Sequence, residues 1–117
     1  MTIIYGIRNC DTMRKAFAWL DAHKVDYAFH DYKKLGVPAG RLGAWVERVG
    51  WQTLLNTRGT TFRKLPPARQ AALDEKRALA LMLELPSVIR RPVLEHGEQL
   101  LVGFDAEEYR RVLSGAW

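Results

Sequence analysis

The sequence predicts an α/β fold: a four-stranded mixed sheet made from an N-terminal βαβ unit and a C-terminal β-hairpin. Four observations predict it. A β-branched and aromatic run at residues 2–5 is followed by the stripe Met13, Ala16, Phe17, Leu20, which is one helical face, and then by a period-two segment at residues 25–32. Near the other end, His96-Gly97-Glu98 is a turn signal between two short strand-like runs. Between these parts lies a helical insertion, about residues 38–85, within a single domain spanning residues 1–117.

The elements follow in order. Residues 2–5 suit a buried strand, and Gly6 lets the backbone turn or be approached closely. Asn9 is a favoured N-cap, with Asp11 and Thr12 suited to a first turn, so a helix is expected from there to about His23. Val25, Tyr27 and Phe29 then line one face of a strand over residues 25–32, in which His30 reads as an ordinary strand residue. Strand, helix, strand in this order makes a parallel pair with a right-handed crossover.

Gly36-Val37-Pro38-Ala39-Gly40 is a linker, with Pro38 placed to start a helix. Leu42, Trp45, Val46 and Val49 form its apolar stripe and Gly50 its C-terminal stop; Trp45 and Trp51 read as core. Asn56-Thr57-Arg58-Gly59-Thr60-Thr61 reads as a polar loop able to aim a guanidinium and backbone N–H groups at an anion. Pro66 and Pro67 mark a helix entry, and Asp74 caps a helix to about Glu84, with Ala78, Leu79, Met82 and Leu83 facing inward. Leu85-Pro86 stops it. Pro92 opens a strand at about residues 93–95, paired with a second at about residues 99–102. Asp105-Ala106-Glu107-Glu108 has capping-box spacing, and Phe104 can staple onto Tyr109.

The chain carries 18 basic and 13 acidic residues, a net charge of +5. That suits an anionic ligand. The basic residues are scattered among acidic ones with no nucleic-acid-binding pattern, so nucleic acid is not expected as a partner. No run approaches the ~20 apolar residues of a membrane span, and no secretory signal is evident at the N-terminus. A bare thiol without a bridging partner suits a reducing cytoplasm. No apolar face stands out as a subunit contact, so a monomer is expected.

The one cysteine, Cys10, falls at the strand–turn–helix junction. The thiolate is the nucleophile, and a helix N-terminus or a nearby cation lowers a thiol pKa from about 8.5. Arg8 and Arg14 add positive charge within a few residues, while Asp11 opposes them. A depressed Cys10 pKa is expected in direction.

The segment Tyr5-Gly6-Ile7-Arg8-Asn9-Cys10-Asp11-Thr12 resembles the active-site segment of the arsenate-reductase-like (ArsC/Spx) family, closest to its glutathione-linked thiol reductase branch. The likeness continues through residues 55–65, Pro86-Ser87-Val88-Ile89-Arg90-Arg91-Pro92-Val93, and Leu101-Val102-Gly103-Phe104. It implies a thioredoxin-like fold with a cis-proline, Pro92, opposite Cys10. It implies that Arg91, directly before that proline, reaches an anion bound at the cysteine, that Arg58 contributes from its loop, and that Arg90 faces solvent. Cys10 is then the catalytic nucleophile. Asn9, Asp11 and Thr12 would help bind the anion, and Gly6 and Pro92 would shape the site.

With no resolving cysteine, a thiol–disulfide reductase reading needs glutathione as co-substrate, and glutaredoxin is a possible partner. No tightly bound cofactor and no metal are expected. The substrate would be a disulfide or an oxyanion. Arsenate reduction is the alternative, although glutathione-linked arsenate reductases carry a histidine where this chain has Gly6. Their early arginine directly follows a Leu-Leu pair, where this chain has Asn56. Spx-like binding to RNA polymerase is a further alternative, but Cys10-Asp11-Thr12-Met13 lacks that branch's second cysteine.

Overall fold

The computed structural model describes residues 1–114, which divide into two compact units. The first comprises residues 1–35 together with residues 91–114; the second is Gly36–Arg90.

The first unit holds the sheet. Strand β1 is Thr2–Gly6, and helix α1, Asp11–Ala22, leads to β2, Ala28–Asp31, with the short helix α2, Tyr32–Leu35, directly after it. The sheet order is β2-β1-β3-β4, where β3 is Val93–His96 and β4 is Gln99–Val102. β2 runs parallel to β1, whereas β3 is antiparallel to both β1 and β4. This is the expected mixed sheet, and the Arg91–Pro92 peptide is cis.

One face of the sheet is closed by α1 and the last helix. Ile4, Leu94 and Leu101 from the strands meet Met13, Ala16 and Leu20 of α1, with Tyr109 and Leu113 of the C-terminal helix Ala106–Leu113. Alternate residues of a strand share a face, which is why these positions point together. Each fully buried aliphatic side chain contributes about 1.5–3 kcal/mol relative to exposure. Phe104 and Trp19 both meet the Tyr109 ring edge-on, at 4.8 and 5.5 Å between centroids.

Several boundaries differ from expectation. β2 is four residues long: Lys24 adopts a positive φ of 56°, the chain turns there, and Val25 joins the core before the strand begins. Tyr32 opens α2 instead of closing β2. The hairpin turn is the two residues Gly97 and Glu98, with Gly97 at φ 59°.

The second unit is helical. It contains α3, Ala39–Val49; α4, Trp51–Leu54; α5, Thr60–Arg63; α6, Pro67–Gln70; and α7, Glu75–Glu84, then a 3₁₀ turn at Pro86–Val88. The C-terminal helix of the first unit is α8. Within this unit α3 packs against α4 and α7, burying Leu42, Trp45 and Val46. Gly50, at φ 85°, lets the chain reverse between α3 and α4. The Asp74 carboxylate accepts the Arg77 N–H at 2.8 Å, capping α7.

Two expectations of burial are corrected in this unit. The inward face of α7 is Ala78, Leu81 and Met82, while Leu83 is 41% exposed and Leu79 is half-buried. The helix is rotated by roughly one position because Leu81 and Met82 share the stripe with Ala78 at i+3 and i+4. Trp51 is half-buried rather than core: it begins α4 after the Gly50 reversal and lines a surface groove.

Candidate active site

β1 ends at Gly6, Ile7 is buried, and Arg8 and Asn9 cross the surface to Cys10. Cys10, not Asn9, is the N-cap of α1, with extended backbone at φ −145°, ψ 135°. Its carbonyl accepts the Arg14 N–H at 3.0 Å and its own N–H donates to the Arg8 carbonyl at 3.1 Å. Asn9 is exposed. The chain thus reaches the helix one residue later than side-chain preference alone suggests, and the thiol occupies the place a capping oxygen usually takes.

Cys10 is half-buried and packs against the core cluster of the first unit. Burial is the largest single influence on its thiol and pushes the pKa up. The backbone N–H groups of Met13 and Thr12, and then the charge and hydrogen bond of the Arg91 guanidinium, together outweigh it. The net result lies below the ordinary thiol value. No side-chain capping hydrogen bond is closed. A neutral thiol is a weak acceptor, but the unpaired donors of a helix N-terminus favour a sulfur that carries charge.

Arg91 arrives from the opposite end of the sequence. The Tyr5–Val93 pairing sets the end of β1 beside the start of β3, which Arg91 and Pro92 precede. Pro92 is buried, and its carbonyl accepts the Gly103 N–H at 2.8 Å. The residue beside the sulfur is therefore tied to the hairpin.

The two arginines nearest Cys10 in sequence are engaged elsewhere. Arg8 lies over the Phe29 ring, 5.1 Å from its centroid, and Arg14 pairs with the Asp11 carboxylate. Local spacing suggested both as sources of positive charge; the side chains instead meet an aromatic face and an acid on the same helical turn. Asp11 is exposed and Thr12 is half-buried, and it is the Thr12 backbone, through its N–H, that acts on the sulfur.

Gly6 is packed without room for a side chain. A Cβ there would lie 2.5 Å from Sδ and 2.8 Å from Cε of Met13.

Around Arg91 the structure also collects Tyr32, Tyr5 and Glu95, which the sequence did not mark, and His30, which it marked only as an ordinary strand residue. Tyr32 is buried; burial, with Tyr5 and Glu95 nearby, pushes the pKa of its hydroxyl up strongly, and Arg91 acts in the opposite direction. The Tyr5 hydroxyl donates to Glu95 Oε1 at 2.7 Å. His30 stands between Tyr5 and Tyr32, at 5.1 and 6.0 Å between ring centroids. The available signal was strand parity: Tyr5 pairs with His30 in one register and with Val93 in the other, so these side chains share a face.

Arg58 belongs to the second unit. It sits in the turn after α4, where its N–H donates to Asn56 Oδ1 at 3.1 Å, and it lines a groove of about 450 Å³ with Trp51, Leu55 and Arg90. Arg90 is exposed, and its Nε donates to the Thr53 carbonyl at 3.1 Å.

Among the described residues no group of three or more His, Cys, Asp or Glu is arranged to hold a metal ion. No helix among them is long and apolar enough to cross a membrane.

The family model described as "ArsC family" matches residues 5–112. A solved structure of the YFFB protein superposes with a TM-score of 0.91 at 52% identity, covering 99% of this chain and 98% of that one. An arsenate reductase (ArsC) related protein from Brucella melitensis is 50% identical, with a TM-score of 0.76 and coverage of 94% and 92%. The global transcriptional regulator Spx 2 of Bacillus cereus is 30% identical over 97% of this chain and 87% of its own length.

Proposed function

The chain belongs to the ArsC family, and from that premise we propose that it is a cytoplasmic thiol–disulfide reductase that uses Cys10 as its nucleophile and glutathione as co-substrate. The observation that carries this reading is the convergence on the Cys10 sulfur of two helix N–H groups and the Arg91 guanidinium, in a sequence with no second cysteine.

The Cys10 thiolate attacks the glutathione sulfur of a glutathionylated substrate. A Cys10–glutathione disulfide forms, and the substrate leaves as a thiolate that takes a proton from water. A second glutathione thiolate then attacks the glutathione sulfur of that adduct. Oxidised glutathione departs and Cys10 is restored as a thiolate. One disulfide is reduced and two glutathione sulfurs are joined.

This chain's own groups act on charge. The N–H groups of Met13 and Thr12 stabilise the thiolate as attacker and again as leaving group. Arg91 adds a full positive charge, and its planar fork suits a glutathione carboxylate. A low-pKa thiol is also a good leaving group, which favours the second exchange. Glutaredoxin is an alternative carrier for that step.

Arsenate reduction is the second reading, favoured by the 50% identical arsenate-reductase-related protein. Against it stands Gly6, the position at which a histidine is expected for that chemistry; Met13 already fills the space there.

The test is direct. Reduced protein is incubated with glutathione and a glutathionylated peptide, then with glutathione and arsenate, and turnover of each is followed beside Cys10→Ser. Turnover of the peptide, a glutathione adduct on Cys10 by mass spectrometry, and an inactive Cys10→Ser support the proposal. Turnover of arsenate alone replaces it with the second reading. Turnover of neither overturns both.

A further inference from the structure

The strongest feature outside the thiol site is the groove of the helical unit lined by Trp51, Gln52, Leu55, Thr57, Arg58, Leu73 and Arg90, with a volume of about 450 Å³. Its two cations are built in by one piece of backbone. Leu55 and Ile89 form an antiparallel bridge. The Asn56 N–H donates to the Val88 carbonyl at 2.8 Å and the Arg90 N–H to the Leu54 carbonyl at 2.7 Å. This clip joins the segment that ends in Arg58 to the segment that ends in Arg90. Asn56 Oδ1 then fixes the Arg58 turn, and the Thr53 carbonyl takes only the Nε proton of Arg90. The Nη donors of Arg90 and the whole Arg58 guanidinium pair with no carboxylate among the described residues.

No acidic residue lines the groove, while Leu55 and Leu73 are apolar and Trp51 gives it an aromatic wall. Guanidiniums recognise carboxylates in bidentate fashion. Small-molecule sites are concave and enclose most of their ligand; this groove is an open surface channel beside exposed Gln52 and Thr57. A polypeptide segment that runs along it, placing carboxylates on the arginines and an apolar side chain on Trp51, matches its charge and its openness.

We propose that the Trp51–Arg58–Arg90 groove is a docking site for an acidic segment of a partner polypeptide. The proposal rests on no part of the thiol chemistry.

The test uses the full chain, as wild type and as Cys10→Ser, with a fluorescein-labelled peptide of alternating Glu and Leu followed by fluorescence polarisation. Saturable binding is expected in both proteins, weakening steeply with salt. The Arg58→Ala/Arg90→Ala variant should bind at least tenfold more weakly, and Trp51→Ala severalfold more weakly. Arg58→Glu alone should do the same as the double variant, which covers the case where loss of the Arg90–Thr53 bond destabilises the fold. A Lys/Leu peptide should not bind. No saturable binding to wild type, or equal affinity in wild type and Arg58→Glu, overturns the proposal. Displacement of the peptide by millimolar inorganic phosphate or a nucleotide also overturns it, in favour of a small-anion site. Because Cys10→Ser is an arm of the titration, loss of reductase activity and loss of docking are read separately.

Discussion

The methyl group that an alanine would bring to position 6 would sit 2.5 Å from Sδ of Met13. Met13 is fully buried, and its backbone N–H is one of the groups that favour a charged Cys10 sulfur. The last residue of β1 and the first buried residue of α1 are thereby packed into one another, and the thiol lies on the connection between them. Gly6→Ala should cost about 1–3 kcal/mol by overpacking, toward the lower end because a methionine side chain adapts. Urea unfolding of Gly6→Ala, Met13→Ala and the double variant checks this: a coupling energy near zero would show that the two sites do not compete for space.

Arg91→Ala removes the one side-chain cation among the described residues that lowers the Cys10 pKa. The Cys10 pKa should rise, since burial then opposes only the two N–H groups. If the proposed mechanism holds, kcat/KM for a glutathionylated substrate should fall about 10²-fold, the usual scale for losing one group that stabilises developing charge. Arg91→Lys should restore part of the pKa shift but less of the rate, because an ammonium lacks the planar fork. Steady-state kinetics with alkylation titrations on all three proteins will show it.

The pH dependence follows from the sign of the shift. A thiol whose folded pKa is depressed is still thiolate at pH values where an ordinary thiol is protonated. Its alkylation rate should hold its plateau as pH falls below about 8.5, and then drop as pH passes through the depressed value. Iodoacetamide trapping between pH 4 and 10 gives the midpoint, and one at or above the ordinary thiol value would mean that burial outweighs the two N–H groups and Arg91.

Asp105 should matter to stability and not to the thiol. Its Oδ1 accepts the N–H groups of Glu107 at 2.9 Å and Glu108 at 3.2 Å, which holds the start of α8. That helix supplies Tyr109 and Leu113 to the core. Asp105→Ala should lower unfolding free energy by about 1 kcal/mol. A shifted denaturation midpoint with unchanged slope and unchanged Cys10 alkylation rate is the expected pattern.

Much of the architecture is readable from local patterns because each pattern has a local cause. The stripe from Met13 to Leu20, the caps Asp74 and Asp105, and the Gly97 turn depend on a few consecutive residues, and they stand where the pattern puts them. Val25 and Tyr27 alternate like strand residues, yet the positive φ at Lys24 delays the strand until Ala28. Trp51 and Leu83 look like core from hydrophobicity, but their exposure is decided by which neighbours α4 and α7 happen to meet. At the thiol, helix placement is local and legible. The cation beside it is not: no spacing rule links residue 10 to residue 91, and only the family resemblance pointed there. Arg8 and Arg14, close in sequence, found an aromatic ring and an acid instead.

Arg91 sits at the threshold of β3 while Cys10 opens α1, and the two are brought together by the pairing of β3 with β1. A chain halted after β2 carries the sulfur and the start of its helix but not the guanidinium. The groups that favour a charged sulfur are therefore drawn from both ends of the sequence, and the set is complete only with β3 paired to β1.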